Sequence, residues 1–330
     1  MISIVIPNFN SADRLVKNLP ILTDLLKKAK LDHEIIVSDD ASTDDSRAIL
    51  ERYIANSTKT SDRTNLLCLF KDKNTGFGMT VDAGIKKAQG EIVFILNAID
   101  LLPESADFFK QVLKHFEDQE SHGPERSRRV FSVAAVKKDE TGEHGKGVLV
   151  FSRGLFMHFK QKSDFEAWQK SSSRLLNGYI AKLFERKTDN NLTVQQFDNS
   201  FTDWADGGAQ ALRKKYYLEI GGFDPAFRLY WEDVDLGFRA WQAGYKVIYE
   251  PQAVLLHTKS EGPIAKKYTS SQLRRMNLYG QFIFTWKNSD FRHLFLHFLW
   301  QPYHLAVAAK NHDADWFVAM FQALLYVIWR

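Results

Sequence analysis

The chain has 330 residues, 45% of them apolar and 25% charged, the balance of a soluble globular protein with a substantial core. Its single cysteine, Cys68, excludes an internal disulfide, and no run of about 18 apolar residues supplies an ordinary membrane span. The net charge of +4 is uneven: from residue 261 onward eight basic residues meet four acidic ones, so the excess sits in the C-terminal tail.

The opening "MISIVIP" has no basic segment followed by a long apolar stretch, so no secretory leader is expected. "ISIVIP" is a continuous apolar run ending in Pro7, the pattern of a strand covered on both faces. "SADRLVKNLPILTDLLKKAK" then places leucines at helical spacing. "HEIIVSDD" predicts a second strand ending in two carboxylates, and "STDDSRAILERYIA" a capped helix. "NLLCLFKD" predicts a third strand, with Cys68 as a buried small hydrophobe. "FGMTVDAGIKKAQG" predicts a helix and "EIVFIL" a fourth strand. This alternation implies an α/β domain with a mainly parallel sheet, whose ligands sit at the carboxyl ends of the strands. The polar clusters after "IVIP", "IIVSDD" and "VFILNAID" all fall at those ends.

Further along, an apolar "VFSVAAV" within residues 121–147 predicts a strand and hairpin. Residues 152–200 read as a long insertion or mobile segment, and acceptor choice is expected within 152–205. A short helix is expected at Lys214–Ile220, then an amphipathic one in "WEDVDLGFRAWQAG" with Val234, Leu236, Phe238 and Trp241 facing inward. "YKVIYEPQAVLLH" reads as one or two strands. From residue 268 onward, Trp, Phe and Leu interleave with Arg, Lys and His in three amphipathic helices. Such a tail suits either a membrane surface or packing against the main domain or a second subunit, as in a homodimer. The basic residues form no polar stripe, so nucleic acid is not an expected partner.

Six motifs in order carry a resemblance: "SIVIPNFN", "IIVSDDASTDDS", "NTGFGMTVDAGIKKAQGEIVFILNAID", "GGAQALRKK", "IGGFD" and "WEDVDLGFRAWQAGYKVIYEP". Together they resemble family-two glycosyltransferases, in particular the rhamnosyltransferase-like branch. The resemblance spans residues 1–260. It implies a type-A glycosyltransferase fold, Rossmann-like, with helices flanking a mostly parallel sheet, and leaves 261–330 as a helical tail. It also implies inverting transfer from a nucleoside-diphosphate sugar, a UDP- or dTDP-sugar, to a glycan or lipid-linked acceptor. The expected setting is cytoplasmic, peripheral on the inner face of the cell membrane. In this reading Pro7, Asn8 and Phe9 lie against the nucleotide, and Asp39 and Asp40 accept hydrogen bonds from base and ribose, unless they merely cap the next helix. Gly76 and Gly78 bring backbone close to the nucleotide. Asp82 stands where the family usually has Asn.

The resemblance further implies an Asp-X-Asp or Asn-X-Asp triplet that holds Mg²⁺ or Mn²⁺ on the diphosphate. Here Asn97 takes the first position, Ile99 the third, and Asp100 comes one residue late. Either the turn is rebuilt so that Asp100, with His257, holds the cation, or cations such as Arg213 or Lys214 neutralise the phosphates. Asp233 is the implied general base and Glu232 its orienting neighbour, with Asp235 supporting the helix. Asp206, Gly207 and Gly208 are placed near the sugar, and Trp231 either stacks on it or packs in the core. Two other classes compete. A catalytically inactive member of the fold is suggested by Ile99 and opposed by the retained "WED". A nucleotidyltransferase lacks its Gly-rich basic loop in "PNFNSADR".

Overall fold

The computed structural model describes residues 1–57, 65–97, 100–117, 129–140, 142–145, 147–160, 164, 167–168, 202–257 and 267–329. Ala98, Ile99 and most of the expected insertion at 152–200 lie outside them. The first half follows the hydrophobic pattern closely. Strand β1 is Ile2–Asn8, helix α1 Ala12–Ala29, β2 His33–Asp39, α2 Ser46–Ser57 and β3 Leu66–Phe70. Helix α3 (Phe77–Lys87), β4 (Ile92–Leu96), β5 (Leu101–Pro103) and α4 (Asp107–Glu117) follow. Every residue of β1 is buried, because helices cover both faces. Strands β3, β2, β1 and β4 pair in parallel, so their carboxyl ends share one edge.

The second half breaks the parallel pattern. It comprises β6 (Val130–Asp139), β7 (Gly142–His144), β8 (Val148–Ser152), β9 (Leu155–Phe159), β10 (Ala209–Arg213), α5 (Lys214–Glu219), α6 (Glu232–Gln242) and β11 (Lys246–His257). Strand β10 enters antiparallel between β4 and β6, and the sheet order becomes β3-β2-β1-β4-β10-β6-β11-β5. The expected α/β class holds, with a mixed rather than wholly parallel sheet. The reversal has a consequence for the site. The start of β10 meets the carboxyl end of β4, Ala209 opposite Leu96, whereas Arg213 lies opposite Ile92 at the far end. "YKVIYEPQAVLLH" forms one strand with a register shift between Glu250 and Val254.

Three helices complete the chain: α7 (Ser270–Asn288), α8 (Phe291–Lys310) and α9 (Ala314–Ile328). Helix α7 is no free arm. Its Phe282, Ile283 and Phe284 share a core with Trp204, Phe227, Trp231, Val234 and Phe238. In α6, Val234, Leu236 and Phe238 face inward as expected, but Trp241 is 37% exposed. Asp235 is fully buried and supports the helix, pairing with Arg239 at 2.7 Å. Cys68 is half-buried, and burial together with Asp39 pushes its thiol up to about 12, so it is no nucleophile.

Candidate active site

The carboxyl ends of β1, β2 and β4 open onto a cavity of about 680 Å³, a volume typical of small-molecule sites. Pro7, Asn8, Phe9, Asp40, Gly76 and Asn97 line it. Asp39 does not. Its carboxylate accepts from Asn8 Nδ2 (2.8 Å), Ser42 N (2.9 Å) and Ser42 Oγ (2.6 Å), tying the β1 and β2 turns together. Asp40 accepts from Thr75 N (2.8 Å) and Gly76 N (2.9 Å) and pairs with Lys71 at 3.1 Å. These contacts shape the loop before α3. Gly76 needs to be glycine for two reasons: its φ is +92°, and a Cβ there would lie 2.5 Å from the Arg228 carbonyl oxygen. Gly78 faces Phe223 instead of the cavity, and Asp82 accepts the Tyr217 hydroxyl at 3.0 Å. Gly78 therefore serves packing of α3 on Phe223, beyond the end of α5, and Asp82 ties α3 to α5.

The expected metal ligands do not present a cation site in this arrangement. Arg14 holds both oxygens of Asp100, Nε to Oδ1 at 2.7 Å and Nη1 to Oδ2 at 2.8 Å. Burial pushes the Asp100 carboxyl up to about 6, with Arg14 pulling the other way. The guanidinium occupies one edge of the carboxylate and neutralises the charge that Mg²⁺ or Mn²⁺ would need. His257 lies opposite Leu101 in the sheet, one residue from Asp100, but its Nδ1 is 3.7 Å from Asp139 Oδ2. Among the described residues no group of three or more His, Cys, Asp or Glu could hold a metal ion. The alternative cations of the sequence reading are also misplaced. Arg213 pairs with Glu91, and Lys214 Nζ donates to the Ala88 carbonyl, both at the opposite edge of the sheet. Antiparallel β10 puts them about five residues, roughly 15 Å, from the cavity edge.

The cations that do line the cavity were not legible as a motif. They are Arg14 from α1, Arg228, Lys267 and Arg275, set against the carboxylates Asp40 and Asp100. Asp100 is paired with Arg14, Asp40 with Lys71, and Arg275 with Asp315 at 3.3 Å, so the positive excess of the lining rests on Arg228 and Lys267. Lys267 Nζ also sits 4.4 Å from the Phe9 ring centroid.

The acid cluster stands beside this cavity. Gly207 separates the two: a Cβ on it would lie 2.9 Å from Phe77, a cavity residue, and 3.4 Å from Asp233 Cβ. A Cβ on Gly208 would lie 2.5 Å from Asn97 Cβ. The Gly-Gly pair therefore lets the start of β10 close onto the end of β4 and onto α6. Asp233 Oδ1 accepts from Val234 N at 2.9 Å at the start of α6, and Oδ2 from Gly207 N at 3.3 Å. Glu232 is 8% exposed, and its Oε2 finds no hydrogen-bond partner among the described residues. Burial, then the neighbouring Asp233, push its carboxyl up to about 8, so it carries a proton at neutral pH.

Asp206 is held by Lys137 at 2.6 Å and Lys160 at 3.4 Å. Desolvation works against its charge, but the two ammonium groups outweigh it and hold the carboxyl below the usual range. Lys160 also lies 3.7 Å from Asp233 Oδ2. Desolvation opposes its charge too, yet Asp233, Asp206 and Glu232 hold it above the ordinary lysine range. Trp231 belongs to the core. It is 2% exposed, donates Nε1 to Asn277 Oδ1 at 2.8 Å, and packs on Phe284. Together with Tyr230 it adopts positive φ, 69° and 66°, an unfavourable backbone for bulky residues. Strain directly before an acid pair is a mark of a functional turn.

Residues 3–136 match the family model described as glycosyl transferase family 2. The matched segment is less than half of the chain. The chain is 40% identical over 57 residues to an N-acetylglucosaminyl-diphospho-decaprenol L-rhamnosyltransferase of Mycobacterium tuberculosis, a stretch covering 17% of this chain and 19% of the relative. It is 23% identical over 237 residues to an O-antigen chain rhamnosyltransferase of Salmonella anatum, covering 72% of this chain and 60% of the relative. The fold resembles that of a Pyrobaculum calidifontis mannosyltransferase solved with GDP-Man and Mn²⁺: TM-score 0.54, 18% identity, 98% of this chain and 73% of that one.

Proposed function

We propose that the chain is an inverting glycosyltransferase that moves a sugar from a nucleoside-diphosphate sugar, a UDP- or dTDP-sugar, to a hydroxyl of a glycan or lipid-linked acceptor. One observation carries the reading: an electropositive cavity at the strand ends lies next to Gly207, which touches both Phe77 of the cavity lining and Asp233. The nucleotide lies against Pro7–Phe9 and the Asp40-braced loop. The diphosphate faces Arg228 and Lys267, which neutralise the charge that grows on the leaving group. The acceptor oxygen attacks the anomeric carbon as the carbon–oxygen bond to the diphosphate breaks. Asp233 takes the hydroxyl proton. Glu232, protonated at neutral pH, donates a hydrogen bond that orients the acceptor or Asp233. Lys160 and Lys137 fix Asp206 beside the reacting sugar.

The test is Asp233→Asn. Transfer from the nucleotide sugar should fall by about 10²–10⁴-fold, the usual share of a general base. Affinity for the nucleoside diphosphate should be unchanged. Full activity in the variant sinks the base assignment, and failure of the wild type to bind any nucleoside diphosphate sinks the whole reading.

A further inference from the structure

Helix α8 is built inside out. Its polar residues face the protein: His297 Nδ1 lies 2.6 Å from the Gly154 carbonyl, and His304 Nε2 lies 2.7 Å from that of Arg153. Gln301 Nε2 bonds His297 Nε2 at 2.7 Å, and His293 stacks on Phe156. These residues recur at about one helical turn and form one stripe. The opposite stripe is apolar and faces outward: Phe291, Phe295, Phe298, Leu299 and Tyr303 are exposed, Phe298 by 67%. Between Arg292 and Lys310 the helix has no Asp, Glu, Lys or Arg. Helix α9 also turns an apolar face outward. Trp316, Ala319 and Ala323 are buried, while Phe317, Phe321, Leu324, Leu325 and Ile328 point outward, Phe321 by 58%. A helix at a water-facing surface carries the reverse polarity. Apolar faces exposed on two successive helices therefore have an occupant other than water.

We infer that the outer faces of α8 and α9 dock on the surface of an anionic lipid bilayer. No helix among the described residues is long and apolar enough to cross a membrane, so the helices lie on it. Charge selects lipid over a second copy of the chain. Exposed Arg292 and Lys310 mark the ends of α8. Two nearby acids are already ion-paired, Asp313 with Arg274 and Asp315 with Arg275 at 3.3 Å, while Asp290 caps the start of α8 by accepting from His293 N at 2.8 Å. Two copies meeting face to face would set like charges together, whereas phosphate headgroups complement them. Trp329, 84% exposed at the end of α9, has the amphipathic ring favoured at the headgroup level.

Docking also places the cavity. Gln322 and Tyr326 on α9 line it, so one helix diameter, about 10 Å, separates the cavity wall from the lipid surface. That favours an acceptor hydroxyl held at the membrane surface, a corollary that rests on the proposed transferase reading. The docking itself does not.

The experiment is co-sedimentation of the full chain with vesicles of phosphatidylcholine alone and of phosphatidylcholine with phosphatidylglycerol. Binding is expected to the anionic vesicles and to weaken as salt is raised. The double variant Phe298→Glu, Phe321→Glu should bind at least about tenfold more weakly, because both outward faces lose apolar contact and gain repulsion. The variant's thermal unfolding and its affinity for UDP or dTDP should match the wild type, which separates loss of docking from loss of fold or of the nucleotide site. No vesicle binding by the wild type overturns the inference. So does a dimer in solution, measured by light scattering, that the same variant dissociates.

Discussion

Glu232→Gln isolates the energetic state of the acid pair. The carboxyl is 8% exposed, with one oxygen unpartnered among the described residues and the Asp233 carboxylate next to it. Its folded value of about 8 lies above the ordinary 4.5. Between those two pH values the folded protein holds a proton that the unfolded chain has released. Stability from this group is therefore fully present below pH ~4.5 and is lost as pH rises through ~8. At about 1.4 kcal/mol per pH unit the loss amounts to roughly 4–5 kcal/mol. Glutamine keeps the shape of the neutral acid and cannot ionise, so the variant should escape that loss. Urea unfolding of both proteins at pH 5 and pH 8 reads the difference directly. The wild type should lose several kcal/mol more than the variant between the two pH values, other titrating groups cancelling in the comparison. Equal losses would refute the argument, since they would mean that Glu232 is ionised at little cost, with Lys160 as its counter-charge.

The remaining predictions concern packing and charge. Gly208→Ala forces a Cβ to within 2.5 Å of Asn97 Cβ, between two backbones with no flexible side chain to yield. It should cost about 1–3 kcal/mol in urea unfolding and weaken nucleotide binding by moving Asn97. Trp231→Ala should cost about 3–5 kcal/mol through the cavity it leaves in the α6–α7 core. Calorimetric titration with UDP and dTDP, in Mn²⁺ and in EDTA, tests the Arg14–Asp100 pair. Affinity should survive EDTA to within a few-fold, and a strict Mn²⁺ requirement would mean that Arg14 leaves Asp100 when the diphosphate binds.

Local pattern determined much of the first half of this protein. Continuous apolar runs gave β1, β2 and β4, leucines at helical spacing gave α1, and the parallel order of strands placed Asn8, Asp40, Gly76 and Asn97 on one edge. Those features depend on periods of two and about 3.6 residues, which sequence displays directly. What only the tertiary structure decided depends on partners far apart in the chain. Arg14 reaches Asp100 across 86 residues, Lys137 reaches Asp206 across 69, and Asn277 fixes Trp231 in the core. The antiparallel entry of β10 sends Arg213 and Lys214 away from the cavity, a reversal that no local signal encodes. The polarity of α8 is the same lesson in another form. Its two stripes are plain in the sequence, but only packing shows that the histidines face the protein and the phenylalanines face out.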